Sequence, residues 1–74
     1  MRVRVKCFAT LADHTPPDGF LELPEGSAVA AVLPLIGLVP GDIKLVFVNS
    51  KNSDLGTALA DGDQVGIFPA VGGG

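Results

Sequence analysis

Apolar and charged positions alternate from the start of the chain, with Val3, Val5 and Cys7 on one parity and Arg2, Arg4, Lys6 and Phe8 on the other. A period of two marks a strand with one buried face, so the chain is expected to open with a strand whose Val3, Val5 and Cys7 side meets the core. Thr15-Pro16-Pro17-Asp18-Gly19 is a breaker cluster, and Phe20 to Leu23 reads as a second strand, ended by Pro24 and paired with the first as a hairpin. After Glu25-Gly26-Ser27 the period changes. Val29, Val32, Leu33 and Ile36 recur at helical spacing, predicting one apolar helix face with Ser27 as its N-cap. Pro34 removes a backbone donor, so the helix should bend or end near Leu33, with Gly37 able to supply a left-handed stop.

Lys44 to Asn49 is a β-rich run too apolar for a plain exposed edge and is read as an interior strand. Asn49 to Ser53 is read as a polar loop and Leu55 to Leu59 as an irregular piece. The Asp61-Gly62 turn then leads into a last strand containing Val65 and Ile67. Strand, strand, helix, strand, strand is an α+β plan, the β-grasp arrangement of one mixed sheet crossed by one main helix. In that packing Val29, Val32, Leu33 and Ile36 should meet Val3, Val5, Val65 and Ile67. The expected division is a domain over residues 1–69 and a flexible C-terminal tail over 70–74, ending Val-Gly-Gly-Gly.

Composition narrows the function. With 74 residues there is room for one domain and no separate catalytic unit. So small a domain needs a dense apolar centre, and 47% of its residues are hydrophobic. A net charge of −3 offers no basic surface for phosphate neutralisation, so nucleic acid is excluded as a partner. A negatively charged module is expected to approach a partner that is positive where they meet. The apolar stretch from Ala28 to Val39 is interrupted by Pro34 and Gly37 and falls short of the ~20 residues of a membrane span. A lone Cys7 and the absence of a signal-peptide core after Arg2, Arg4 and Lys6 predict a cytoplasmic protein without disulfides.

Little in the domain points to catalysis. Cys7 shares parity with Val3 and Val5 and is expected in the core as a small hydrophobe. His14 is the sole histidine and, in a polar loop, is expected to be solvated, without the partners of a metal site or a Cys/His pair. Asp61 and Asp63 flank Gly62 and read as turn residues rather than an acid/base pair. No cofactor is expected. One surface stands out: Phe8 and Phe68 have outward parity, and with Leu45 and Phe47 taken as inward, Val46 and Val48 join them in an apolar patch on the open sheet face, a candidate partner-binding surface.

From Leu21 the chain reads LELPEGSAVAAVL and then KLVFVNSKNSDLGTALADGDQVGIFPAVGGG. This resembles the ubiquitin-like sulfur-carrier family that includes the molybdopterin synthase small subunit and the thiamin-pathway carrier. The opening VRVKCFATLA looks more like the molybdopterin branch, whereas Val-Gly-Gly-Gly departs from that branch's more usual ending. The resemblance implies a non-enzymatic carrier with two partners, an ATP-dependent adenylating enzyme akin to ubiquitin-activating enzymes and a sulfur-accepting synthase subunit. It places an acyl-adenylate and then a thiocarboxylate on Gly74. The residue chemistry fits: a terminal carboxylate, with a pKa of about 3.5, is ionised and a poor electrophile until activated. Gly72, Gly73 and Gly74 lack β-carbons, which would let an extended backbone enter a narrow tunnel. A protein modifier joined through Gly74 would need the same tail; a passive β-grasp interaction domain would not.

Overall fold

The computed structural model describes residues 1–70. Five strands are present: β1 (Arg2–Cys7), β2 (Phe20–Glu22), β3 (Ile43–Val48), β4 (Lys51–Ser53) and β5 (Gln64–Pro69). They form one sheet in the order β2-β1-β5-β3-β4. The two central strands, β1 and β5, run parallel with Val5 opposite Val65 and Cys7 opposite Ile67. The other neighbours are antiparallel. Since directly paired residues share a face, this register aligns the apolar parity of β1 with that of β5. Val3, Val5, Cys7, Val65 and Ile67 are each no more than 2% exposed.

The predicted helix is present but short. A 3-10 turn over Val29–Ala31 runs into a single α-helical turn, α1 (Val32–Leu35). Pro34 is tolerated because it sits in the first turn, where its missing N–H would have no intrahelical acceptor. The stop is a Schellman motif: Gly37 takes φ +77°, Leu38 N–H donates to Leu33 O at 2.9 Å, and Gly37 N–H donates to Pro34 O at 3.4 Å. Leu33 and Leu38, both buried, supply the motif's apolar contact. Val29, Val32 and Leu33 join the sheet residues in one cluster, and Ile36 packs at its rim. Ser27 is not the N-cap. Its hydroxyl donates to Pro24 O at 2.7 Å, and Ala28 occupies the cap position.

Two further features depart from the expected plan. Lys51–Ser53 is a strand, not loop, because Asn49 and Ser50 both adopt positive φ, 52° and 70°, as in a two-residue type I′ hairpin that turns β3 directly into β4. The parity of β3 is also the reverse of that predicted. Val46 and Val48 pair with Ile67 and Val65 and are buried, whereas Leu45 is 38% exposed. A register shift between Ile43 and Leu45 inserts one extra residue, placing Ile43 opposite Pro69 and Leu45 opposite Phe68.

Ile67→Ala, which truncates a residue at 0% exposure, is expected to cost about 2–5 kcal/mol in denaturant unfolding. The parity of β3 is checked in the same assay: Val46→Asp should unfold the domain or nearly so, and Leu45→Asp should leave the midpoint close to the parent.

Candidate functional site

None of the four phenylalanines belongs to the buried core. Phe8, Phe20, Phe47 and Phe68 are all half-buried, and the strand registers put them on the sheet face opposite α1. Phe8 N–H donates to Ile67 O at 3.0 Å, extending the β1–β5 alignment one residue past Cys7. The Phe8 ring thereby lies on that of Phe68, with centroids 4.4 Å apart and planes 1° from parallel. Phe47 meets Phe68 edge-on at 5.6 Å and 78°. Such pairs add about 0.5–1.5 kcal/mol each beyond their buried area. The Phe8 ring packs against the bare backbone of Gly66, where a β-carbon would lie 3.4 Å from Phe8 Cε2. The result is a groove of about 440 Å³ floored by Gly66, walled by the three rings and edged by Arg4 and Lys6.

Of the candidate surface residues, Phe8 and Phe68 are therefore brought together. Val46 and Val48 are not: they point into the core, and Phe47 with Leu45 takes their place on the open face. β3 is apolar on both sides, so its own sequence does not distinguish them. Pairing with the clearly alternating β5 decides which side is inside.

β5 leads to the chain's glycine end. Ala70 N–H donates to Asp42 O at 2.9 Å, holding the chain two residues beyond Phe68. Asp42 lies in a 3-10 turn over Pro40–Asp42, which its carboxylate steadies by accepting from Val39 N–H at 3.1 Å. The predicted tail residues Gly72, Gly73 and Gly74 lie outside the described residues.

Cys7 is buried, as expected, with its backbone N–H donating to Thr15 Oγ1 at 3.0 Å. Burial pushes its thiol above the ordinary value, opposed in part by the Thr15 hydrogen bond. His14 is not freely solvated. It ends a 3-10 helix over Ala9–His14, is half-buried, and its Nδ1–H donates to Ile36 O at 2.7 Å, tying this segment to the end of α1. A carbonyl can only accept, so the proton is on Nδ1. Asp61 and Asp63 are turn residues: Asp61 accepts from Arg2 N–H at 2.8 Å, and Asp63 accepts from Ala60 N–H at 2.8 Å and from Asn49 Nδ2 at 2.9 Å. Among the described residues there is no cluster of three metal-ligating side chains and no helix long and apolar enough to cross a membrane.

A five-stranded mixed sheet in this order against one short helix is a ubiquitin-like β-grasp domain. The chain belongs to the ThiS family, whose model matches residues 5–74, and is a small non-catalytic protein of carrier type. Among solved structures it is similar to a putative molybdopterin converting factor, subunit 1, from Pyrococcus furiosus, with 30% identity, TM-score 0.74 and coverage of 96% of this chain and 99% of that one. It is also similar to SAMP1 from Haloferax volcanii, with 26% identity, TM-score 0.73 and full coverage of both chains. The H. volcanii small archaeal modifier protein 1 shares the fold at 23% identity, TM-score 0.71 and coverage of 95% and 98%. No curated protein matches the chain.

The raised thiol of Cys7 gives a pH prediction. The folded-state pKa lies above the unfolded one, so the buried thiol's contribution is fully present below the unfolded value and is lost as pH rises through the folded value. Unfolding free energy should therefore fall on the alkaline side, and Cys7→Ala should flatten that fall. Iodoacetamide should label Cys7 slowly in the native protein and rapidly in denaturant; equal rates would place the thiol at the surface.

Proposed function

We propose that the chain is a sulfur carrier whose reacting group is the Gly74 carboxylate. The carboxylate would attack the α-phosphorus of ATP within an adenylating enzyme, releasing pyrophosphate and forming an acyl-adenylate. Hydrosulfide, or an equivalent at the sulfide oxidation level, would then displace AMP to give a thiocarboxylate, whose sulfur would be delivered through a synthase subunit to its substrate, water restoring the Gly74 carboxylate. The main support is the family match over residues 5–74; beyond Ala70, whose N–H donates to Asp42 O, the four residues Val71 to Gly74 could span at most about 14 Å if extended. That is enough for a carboxylate to enter a neighbouring protein's active site while the folded domain stays on its surface. Phe8 and Phe68 would form part of the docking surface. The recipient we favour is the molybdopterin cofactor of molybdenum or tungsten, in keeping with the 30% identity to a protein described as a molybdopterin converting factor subunit. The thiamin pathway is the alternative recipient.

A second reading, a protein modifier conjugated through Gly74, is supported by the similarity to SAMP1 at 26% identity. Both readings use the same activated terminus. Lysines bearing glycine remnants on other host proteins after proteolysis would favour the modifier.

Deleting Gly74 is expected to abolish sulfur transfer with the cognate partners, because it withdraws the carboxylate by about 3.3–3.6 Å, more than transfer chemistry tolerates. One residue appended after Gly74 should do the same by presenting the wrong carboxylate. Gly73→Val keeps the length but adds a branched side chain, so its loss of transfer would be steric. All three should melt near the parent temperature. Normal transfer by the Gly74 deletion would overturn the assignment of the Gly74 carboxylate as the reacting group. Replacing Phe8 and Phe68 together with Ala should weaken binding to the adenylating enzyme or the synthase subunit more than it weakens folding. Unchanged affinity in a folded variant would remove this face from the interface.

A further inference from the structure

The open face that gathers the phenylalanines also gathers positive charge. Arg2, Arg4 and Lys6, three of the five basic residues, are exposed on the outward parity of β1. Arg2 and Arg4 both lie over the Phe20 ring, with Cζ 4.0 and 4.9 Å from its centroid, and Lys6 Nζ is 5.3 Å from the centroid of Phe8. The rings thus hold the cations along the face. Glu22, opposite Arg2 at the sheet edge, is the sole acidic residue in the five strands. The other acids lie outside the strands; Asp61 lies beside Arg2 and Arg4 at the Phe20 end of the face and Asp18 beside Arg4 and Lys6, whereas the groove over Gly66, edged by Arg4 and Lys6, has no acidic residue in its lining. At physiological ionic strength charges are screened within about 8 Å, so a molecule lying in the Gly66 groove meets Arg4 and Lys6 rather than the chain's average charge.

We propose that this face receives an acidic surface of a partner protein bearing a protruding apolar side chain. The apolar group would lie over Gly66 between Phe8 and Phe47, and the carboxylates would sit against Arg4 and Lys6. This reverses the partner charge expected from the net charge alone. It rests on the reading of the Phe8–Phe68 face as a partner surface and adds the partner's chemistry. A second copy of the chain is a poor occupant, because a two-fold contact through this face would bring two rows of β1 cations together. The benzene-like walls and the glycine floor recognise the apolar anchor; the cations choose among anchors by what flanks them.

The full-length chain, 15N-labelled, would be titrated with three acetylated and amidated peptides at up to millimolar concentration: Glu-Asp-Phe-Asp-Glu, its counterpart with Lys at every acidic position, and its counterpart with Gly in place of Phe. The first should shift the amides of Lys6, Gly66 and Phe68 most, and the other two should bind about tenfold more weakly or not at all. Arg4→Glu combined with Lys6→Glu, at exposed positions that leave the fold intact, should reverse the preference between the acidic and basic peptides. If the acidic and basic peptides shift this face equally, the charge inference falls while the partner surface stands. If no peptide shifts the face, or the chain's own spectrum changes with concentration at these residues, both the acidic partner and the peptide-accessible groove are overturned.

Discussion

The structure depends on the parallel pairing of its two central strands. β1 and β5 come from opposite ends of the described chain, and their register, Val5 against Val65 and Cys7 against Ile67, puts two alternating sequences in phase. Once in phase, the inward side presents a continuous aliphatic strip that the residues of 29–33 cover, and the outward side is committed as well. Phe8 falls beside Phe68 and the cations of β1 fall in one row. A slip of one residue would exchange the two faces of a strand, so core and candidate site are consequences of the same register.

That shared cause explains a division of labour among side chains. The buried cluster is built from Val, Leu, Ile and one Cys, and the aromatic residues are spent on the open face. Aliphatic branched side chains fill the thin space between one sheet and a helix of two short turns. Phenylalanines kept half-buried on the other side lower the cost of desolvating that face when something covers it. The 3-10 turn over Pro40–Asp42 has a similar double role, closing the path from α1 to β3 and accepting the last backbone hydrogen bond of the described chain, from Ala70.

Much of this was legible in the sequence where a pattern was one-sided. β1, and β5 as far as Ile67, alternate apolar with polar or small residues, so their inward faces could be read directly, and Gly37 after a proline-interrupted apolar run marked the helix stop. The reading failed where local pattern was silent. β3 is apolar on both faces, and only its pairing with β5 buries Val46 and Val48 and exposes Leu45. The Asn49-Ser50 turn lacks the Gly that usually announces a tight hairpin, so β4 was hidden in what looked like a loop. His14 looked solvated because its acceptor, Ile36 O, is distant in sequence. Net charge favours a positive partner, whereas the spacing of Arg2, Arg4 and Lys6 on Phe8's parity is the pattern from which an acidic partner is proposed.

The central claim is that the domain exists to present a reactive C-terminal carboxylate. Intact mass spectrometry of the chain isolated from its native host, followed by fragmentation of the C-terminal peptide, tests it most directly. The account predicts a population in which one oxygen of the Gly74 carboxylate is replaced by sulfur. A Gly74 that carries only its ordinary carboxylate, while the host is actively making sulfur-containing cofactor, would contradict it.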